Sequence, residues 1–109
     1  MTQAQLVLAC KLACRVSSDS TDSEFNDLIN AGFGDLEISG IADTQGNPYT
    51  AETADQLVII AIKTYVKLHY GDLLSMDEYD KLNASYWEQK AQLKMRTYSD
   101  SRYQDQEES

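Results

Sequence analysis

The single histidine, His69, is the side chain whose ordinary titration falls nearest neutral pH, and catalysis through it would need a nucleophile or carboxylate positioned against the ring. No motif supplies one. His69 falls beside Ile62 and Tyr65 on an apolar helical arc, where a lone histidine is read as a hydrogen-bonded core or interface residue. Cys10 and Cys14 are four apart, so in a helix they share a face but not a geometry that favours a disulfide. A zinc site would need further ligands nearby, and none is evident, so the pair is read as small apolar core residues in a reducing compartment. Asp19, Asp22 and Glu24 lack the glycine and the ligand spacing of a calcium loop and are read as solvating a helix N-terminus. There is no phosphate-binding glycine loop and no nucleophile elbow. No metal, no cofactor and no enzymatic activity are therefore expected. The residues suited to contact are aromatic: Trp87, and Tyr98 and Tyr103 near the C-terminus with Arg102 between them.

Four helical segments must carry these residues. Each opens on a hydroxyl followed three positions later by Glu or Gln: Thr2 and Gln5, Thr21 and Glu24, Thr53 and Gln56, Ser75 and Glu78. In such a capping box the hydroxyl accepts from an unpaired backbone N–H and the longer side chain reaches back. The first helix is expected from about Gln3 to Arg15, apolar around most of its circumference and well covered. The second is expected from about Asp22 to Ile38, with Phe25, Leu28, Ile29, Gly32, Phe33 and Leu36 on one face. A glycine inside a helix costs about 1 kcal/mol against alanine, which close approach of another helix at Gly32 would explain. Gly40 should stop this helix, and a loop follows from Ile41 to Glu52. The third helix, about Ala54 to Tyr70 with Gly71 as its stop, should be the most buried.

The fourth helix, about Met76 to Arg96, has two apolar sides. Tyr79, Leu82, Tyr86 and Leu93 form a tight stripe, with Tyr79 and Tyr86 expected in the core. Ala84, Trp87 and Ala91 form another, set off by Asn83, Lys90 and Lys94. One stripe docks a helix on its own core, so the second requires another partner, and a subunit interface is expected at Ala84, Trp87 and Ala91. Residues 97–109 show no apolar period and read as a flexible acidic tail appended to a helical domain of residues 1–96. Tyr98, Arg102 and Tyr103 either meet a partner there or are scattered on a mobile segment.

The bulk numbers agree with an all-α chain. It has 109 residues, 42% of them apolar, one proline and five glycines, which is one domain with little punctuation. Eighteen acidic against nine basic residues give a net charge of −9, which repels phosphate backbones and anionic membranes. The longest apolar run, Leu57 to Ile62, is far below the ~20 residues of a membrane span. No secretory signal is expected, because Met1 to Gln5 lacks a basic segment and Lys11 and Arg15 interrupt the apolar stretch.

Four stretches together carry a family resemblance. They are Cys14 to Ser17, then Phe25 to Ala31 continuing from Asp35 to Ile41, then Leu57 to Gly71, and last Tyr79 to Tyr86 leading to Lys90 and Leu93. In order and spacing the chain resembles the head–tail connector (head-completion, or adaptor) proteins of tailed bacteriophages and prophages, over most of Leu6 to Leu93. The resemblance implies a compact all-α bundle of about four helices, a structural subunit and not an enzyme. It also implies a closed ring, usually of about twelve copies. Such a ring sits beneath the portal protein, extends the DNA channel and receives the next neck or tail-completion protein. DNA would pass without specific binding, past an acidic wall. The chain would then be assembled in the host bacterial cytoplasm and reside at the head–tail interface of the virion, with Tyr98, Arg102 and Tyr103 reaching toward the portal. Gly34 and the residues after Arg96 depart from the family pattern. The rival, from another class, is an acidic inhibitor or regulatory adaptor that mimics DNA charge and binds a basic protein surface.

Overall fold

The computed structural model describes residues 1–70 and 74–108, with side chains as far as residue 100. Four α-helices and no strands are present among them: α1 Gln3–Ala13, α2 Asp22–Ile38, α3 Gln56–His69 and α4 Met76–Glu108, with a 3-10 turn at Asp19–Thr21. The expected all-α bundle is what forms. Helix α3 is the hub: α1, α2 and α4 all pack against it, and α1 also packs on α2. Half of its fourteen residues are buried, among them Val58, Ala61, Ile62 and Val66. They meet Leu6 and Cys10 of α1, Phe25, Ile29 and Leu36 of α2, and Tyr86 and Leu93 of α4 in one core.

Helix ends follow local chemistry, though not always the box expected. Thr2 and Gln5 close a full capping box, with Gln5 N–H donating to Thr2 Oγ1 at 3.1 Å and Thr2 N–H donating to Gln5 Oε1 at 2.8 Å. Ser75 Oγ accepts from Glu78 N–H at 3.2 Å, while its own hydroxyl, not its N–H, meets the Glu78 carboxylate. The other two boxes do not form. Thr21 makes no side-chain cap, because the 3-10 turn before it leaves it in a helical conformation. At α3 the cap is Asp55, whose Oδ1 accepts from Val58 N–H at 3.1 Å, and Thr53 turns back to Thr50 instead. A carboxylate two residues nearer the helix outcompetes the hydroxyl.

Helices α1 and α2 end the same way. Val16 N–H reaches back to Lys11 C=O, and Ile41 N–H to Leu36 C=O, each across a residue with positive φ. This is the Schellman closure. At α2 the left-handed residue is Gly40, as expected, and Ile41 folds onto the core. At α1 it is Arg15, with φ of 58°, where a side chain costs energy that glycine would not. Gly71, expected to stop α3, lies outside the described residues.

Helix α4 departs most from expectation, running unbroken past residue 96 to Glu108. Thr97, placed in the tail by its polarity, exchanges two hydrogen bonds with the Ala42 backbone at 3.2 and 3.1 Å. Helix α1 is less covered than its composition suggests: Leu8 is 58% exposed and Leu12 70%. Tyr79, expected in the core, is 42% exposed, because it lies two turns before α4 meets α3 closely at Tyr86.

Gly32 sits where α2 meets α3, and a Cβ there would lie 3.1 Å from both Ile62 Cδ1 and Tyr65 Cδ1. Gly34, two residues on, faces open space. Gly34→Ala should therefore stabilise the fold by about 0.5–1 kcal/mol through helix propensity. Gly32→Ala should lose that gain to the contact with Tyr65, whose ring is held between His69 and Tyr86. Urea unfolding midpoints of the two variants check this; a larger midpoint for Gly32→Ala than for Gly34→Ala would contradict it.

Candidate assembly interface

Helix α4 meets α2 through a polar cluster built into an apolar setting. The Tyr86 hydroxyl donates to Asp35 Oδ2 at 2.5 Å, and Lys90 Nζ donates to the same oxygen at 3.1 Å and to Ser39 Oγ at 3.4 Å. The Lys90 side chain is 7% exposed and that of Asp35 34%, so the cation depends on its partner while the carboxylate keeps some access to water. Burial raises the Asp35 carboxyl, but the hydrogen bonds from Tyr86 and Lys90 and the lysine charge outweigh it and hold it below its ordinary value of 3.8. Burial, and then the same carboxylate, push the Tyr86 phenol strongly up, so it remains a donor.

Lys90, a polar separator between two stripes by its sequence pattern, is buried. The signal was the spacing Leu82, Tyr86, Leu93: the stripe leaves a seven-residue gap, and position 90 falls in it. Its partners, more than fifty residues away, left no local trace.

The consequence reaches the surface. Lys90 Nζ lies 4.1 Å from the Trp87 ring centroid and 5.0 Å from that of Tyr86. An ammonium held by Asp35 thus fixes the face of an indole that is itself 61% exposed. Ala84, Trp87 and Ala91 are all exposed, and helical spacing extends their stripe through Met95 and Tyr98, also exposed. Beside Trp87 is a shallow notch of about 230 Å³, lined in part by Tyr65, His69, Tyr79 and Lys90. His69 stacks on Tyr65 with ring centroids 4.1 Å apart, and its Nδ1 lies 2.8 Å from the Tyr65 carbonyl oxygen. The histidine is thus spent on its own helix, and it is exposed rather than in the core. Such an arrangement anchors helices and presents a pre-set aromatic surface.

A second tie fixes the far part of α4. Arg96 reaches Asp55 at 2.6 Å and the Tyr49 hydroxyl at 3.0 Å, so the residue that caps α3 also holds α4. Near α1, Lys11 is covered along its stem and pairs with Asp22 at 2.6 Å and Asp19 at 3.5 Å, which assigns two of the three clustered acids a structural role. Cys10 is buried and Cys14 half-buried, both as free thiols. Burial pushes the Cys10 thiol up to about 12 and also raises Cys14, which disfavours the thiolate needed for metal binding. No group of three or more potential ligands gathers among the described residues. The described helices include none long and apolar enough to cross a membrane. Of the C-terminal contact residues, Tyr98 is exposed on α4, and the side chains of Arg102 and Tyr103 lie outside the described residues.

Comparison with known proteins bears on what this surface serves. A family model described as phage connector protein matches residues 8–100. Neither the curated proteins nor the solved structures yielded a match.

The polar cluster sets an acid limit on stability. Asp35 and Asp55 both have lowered folded-state values; for Asp55, burial opposes the shift and the Arg96 and Val58 hydrogen bonds outweigh it. Their stabilising contribution is present above the ordinary 3.8 and is lost as pH falls through the lower folded values. Asp35→Asn should make the fall of unfolding free energy below pH 4 shallower. At neutral pH Asp35→Ala should cost about 2–4 kcal/mol, because it strands a buried ammonium and a phenol. Lys90→Met should cost less, since Asp35 keeps Tyr86 and water. Equal losses in urea titrations would refute the asymmetry.

Proposed function

The chain belongs to the phage connector protein family, and we propose that it is the ring-forming head–tail connector subunit that docks beneath the portal. Membership makes it a structural protein of the virion neck that works with other head and tail proteins. The finer reading is a closed ring of about twelve copies that extends the DNA channel and receives the next neck or tail-completion protein. The observation that carries it is the outward stripe of α4. A helix already docked on its own core through Tyr86 and Leu93 keeps a second apolar side in solvent, centred on Trp87.

Magnitude supports an interface there. Burying the roughly 150 Å² of indole still exposed is worth about 3–4 kcal/mol, and the ring is already oriented by Lys90. Pre-set aromatic anchors of this kind dominate protein interfaces. The net charge of −9 per subunit suits a channel wall that DNA passes without adhering.

Trp87→Glu should leave the helical circular dichroism intact and weaken addition to portal-bearing heads by about thirtyfold or more, the ~2 kcal/mol of an interface hot spot. Normal head completion by this variant would sink the interface assignment. A stand-alone acidic inhibitor would not complete heads at all, whichever residue stood at 87.

The last turns of α4 are proposed as an arm toward the portal, bearing Tyr98, Arg102 and Tyr103. Thr97 is tied to Ala42, so the arm proper begins beyond it. Truncation after Asp100 should leave the urea midpoint of the free chain nearly unchanged and weaken attachment to heads. Attachment equal to that of the full chain would remove the arm from the account.

A further inference from the structure

The C-terminal ends of α1 and α3 meet the first turns of α4 around an open groove. Two adjoining hollows of about 380 and 280 Å³ share Lys67, Leu74 and Glu78 among their walls. The first reaches Cys14 and Arg15, and the second runs on to Lys81 and Leu82. The groove combines half-buried apolar groups, Cys14, Leu74 and Leu82, with exposed cations, Arg15, Lys67 and Lys81. None of the three cations makes an ion pair among the described residues. Glu78 is the one carboxylate among the described lining residues, and it already accepts from the Ser75 hydroxyl at 3.1 Å. A chain of net charge −9 thus keeps a local excess of positive charge in one concavity.

Helix dipoles favour Lys67 and Arg15 near the C-terminal ends of α3 and α1. Yet Arg15 is kept at a left-handed φ of 58°, a position that glycine fills at the end of α2. Lys81 stands in the second turn of α4, where the helix dipole offers a cation nothing. Stability of the single chain therefore does not explain the whole cluster.

The complementary charge is carried by the last turns of α4. Asp105, Glu107 and Glu108 place three carboxylates in four residues, with no base after Arg102. Beyond the tie of Thr97 to Ala42, α4 runs on for eleven residues, about 16 Å. It cannot turn back on its own groove. From Ser85, the last α4 residue there, to Asp105 is twenty residues of unbroken helix, about 30 Å. The acids of one copy can reach only the groove of another.

We infer that the last turns of α4 of one copy seat in the groove of the next, with the carboxylates of Asp105, Glu107 and Glu108 facing Arg15, Lys67 and Lys81. This rests on the connector reading and leaves Tyr98, Arg102 and Tyr103 to the portal. Donor and receiver lie toward opposite ends of one helix, so the contact joins unlike surfaces and propagates; a contact between like surfaces would stop at a dimer. Charges arranged in this way act chiefly on how fast copies meet and in which orientation.

The test uses the full chain on portal-bearing heads, with the native Cys14 of the groove as its reporter. Gln104→Cys and Gln106→Cys each add one thiol to the acidic end, and residues two apart point about 200° apart around a helix. Under mild oxidation one of the two should give a ladder of disulfide-linked multimers, and Cys14→Ser should abolish it. Equal ladders from both would mark a loose end that merely collides, and dimers that persist with Cys14→Ser would show end meeting end; either overturns the inference. Absence of a ladder from both, with heads still completed, would overturn it but not the connector reading. Failure of the unaltered chain to join heads would sink the connector reading itself. Charge provides a second measurement. Lys67→Glu with Lys81→Glu should leave the circular dichroism of the free chain intact and slow ring formation at least tenfold. Adding Asp105→Lys with Glu108→Lys should restore the rate; no restoration counts against the pairing. Rings that form normally in the doubly altered lysine variant, but fail to receive the next neck protein, would give the groove to that protein and overturn the inference.

Discussion

A buried ammonium has to be neutralised, and much of this fold is arranged around that requirement. Lys90 lies under the surface of α4 with Asp35 of α2 as its counter-charge, and Tyr86 completes the carboxylate's hydrogen bonding. An apolar residue at position 90 would dock α4 as well, or better, since ion pairs in such settings return little net stability. The pair does what an apolar residue would not. It admits one register of α4 against α2, and it sets a cation against Trp87. The core and the outward surface of one helix are thereby coupled through a single side chain.

The other polar ties share this logic. Asp55 caps α3 and grips Arg96, Thr97 seals the Ala42 backbone, and Lys11 draws in the turn that starts α2. Each joins segments that apolar packing alone would leave free to slide. A small core such as this one, built from few large side chains, benefits from contacts that specify register more than from contacts that merely add area.

The sequence made the helices legible because their apolar periods are strong, and Gly32 and Gly40 carried their meaning in position alone. Capping was legible only where no better acceptor stood nearby: Asp55 displaced Thr53, and a 3-10 turn removed Thr21 from competition. Trp87 could be placed outside the core because it broke from the stripe of Tyr86 and Leu93. Lys90 could not be placed inside it, because a lysine in a pattern reads as solvent until a carboxylate fifty residues away is brought beside it. The end of α4 is hidden from the sequence pattern for a related reason. Residues past 96 have no apolar period, and a helix there is held by continuity and by Thr97 rather than by a face to bury.

One indole does not make a stable pair in solution. The ~3–4 kcal/mol from covering Trp87 falls at or below the roughly 4–15 kcal/mol that association costs in lost freedom. A single contact of this size remains weak at ordinary concentrations. On a template the balance changes, because copies already held side by side lose little further freedom when neighbouring flanks meet. On the proposed reading, a ring built from such contacts would form where a symmetric platform gathers the subunits. Weak aromatic contacts are thus the chemistry that the proposed connector role calls for, since its subunits would stay apart until a head presents its portal.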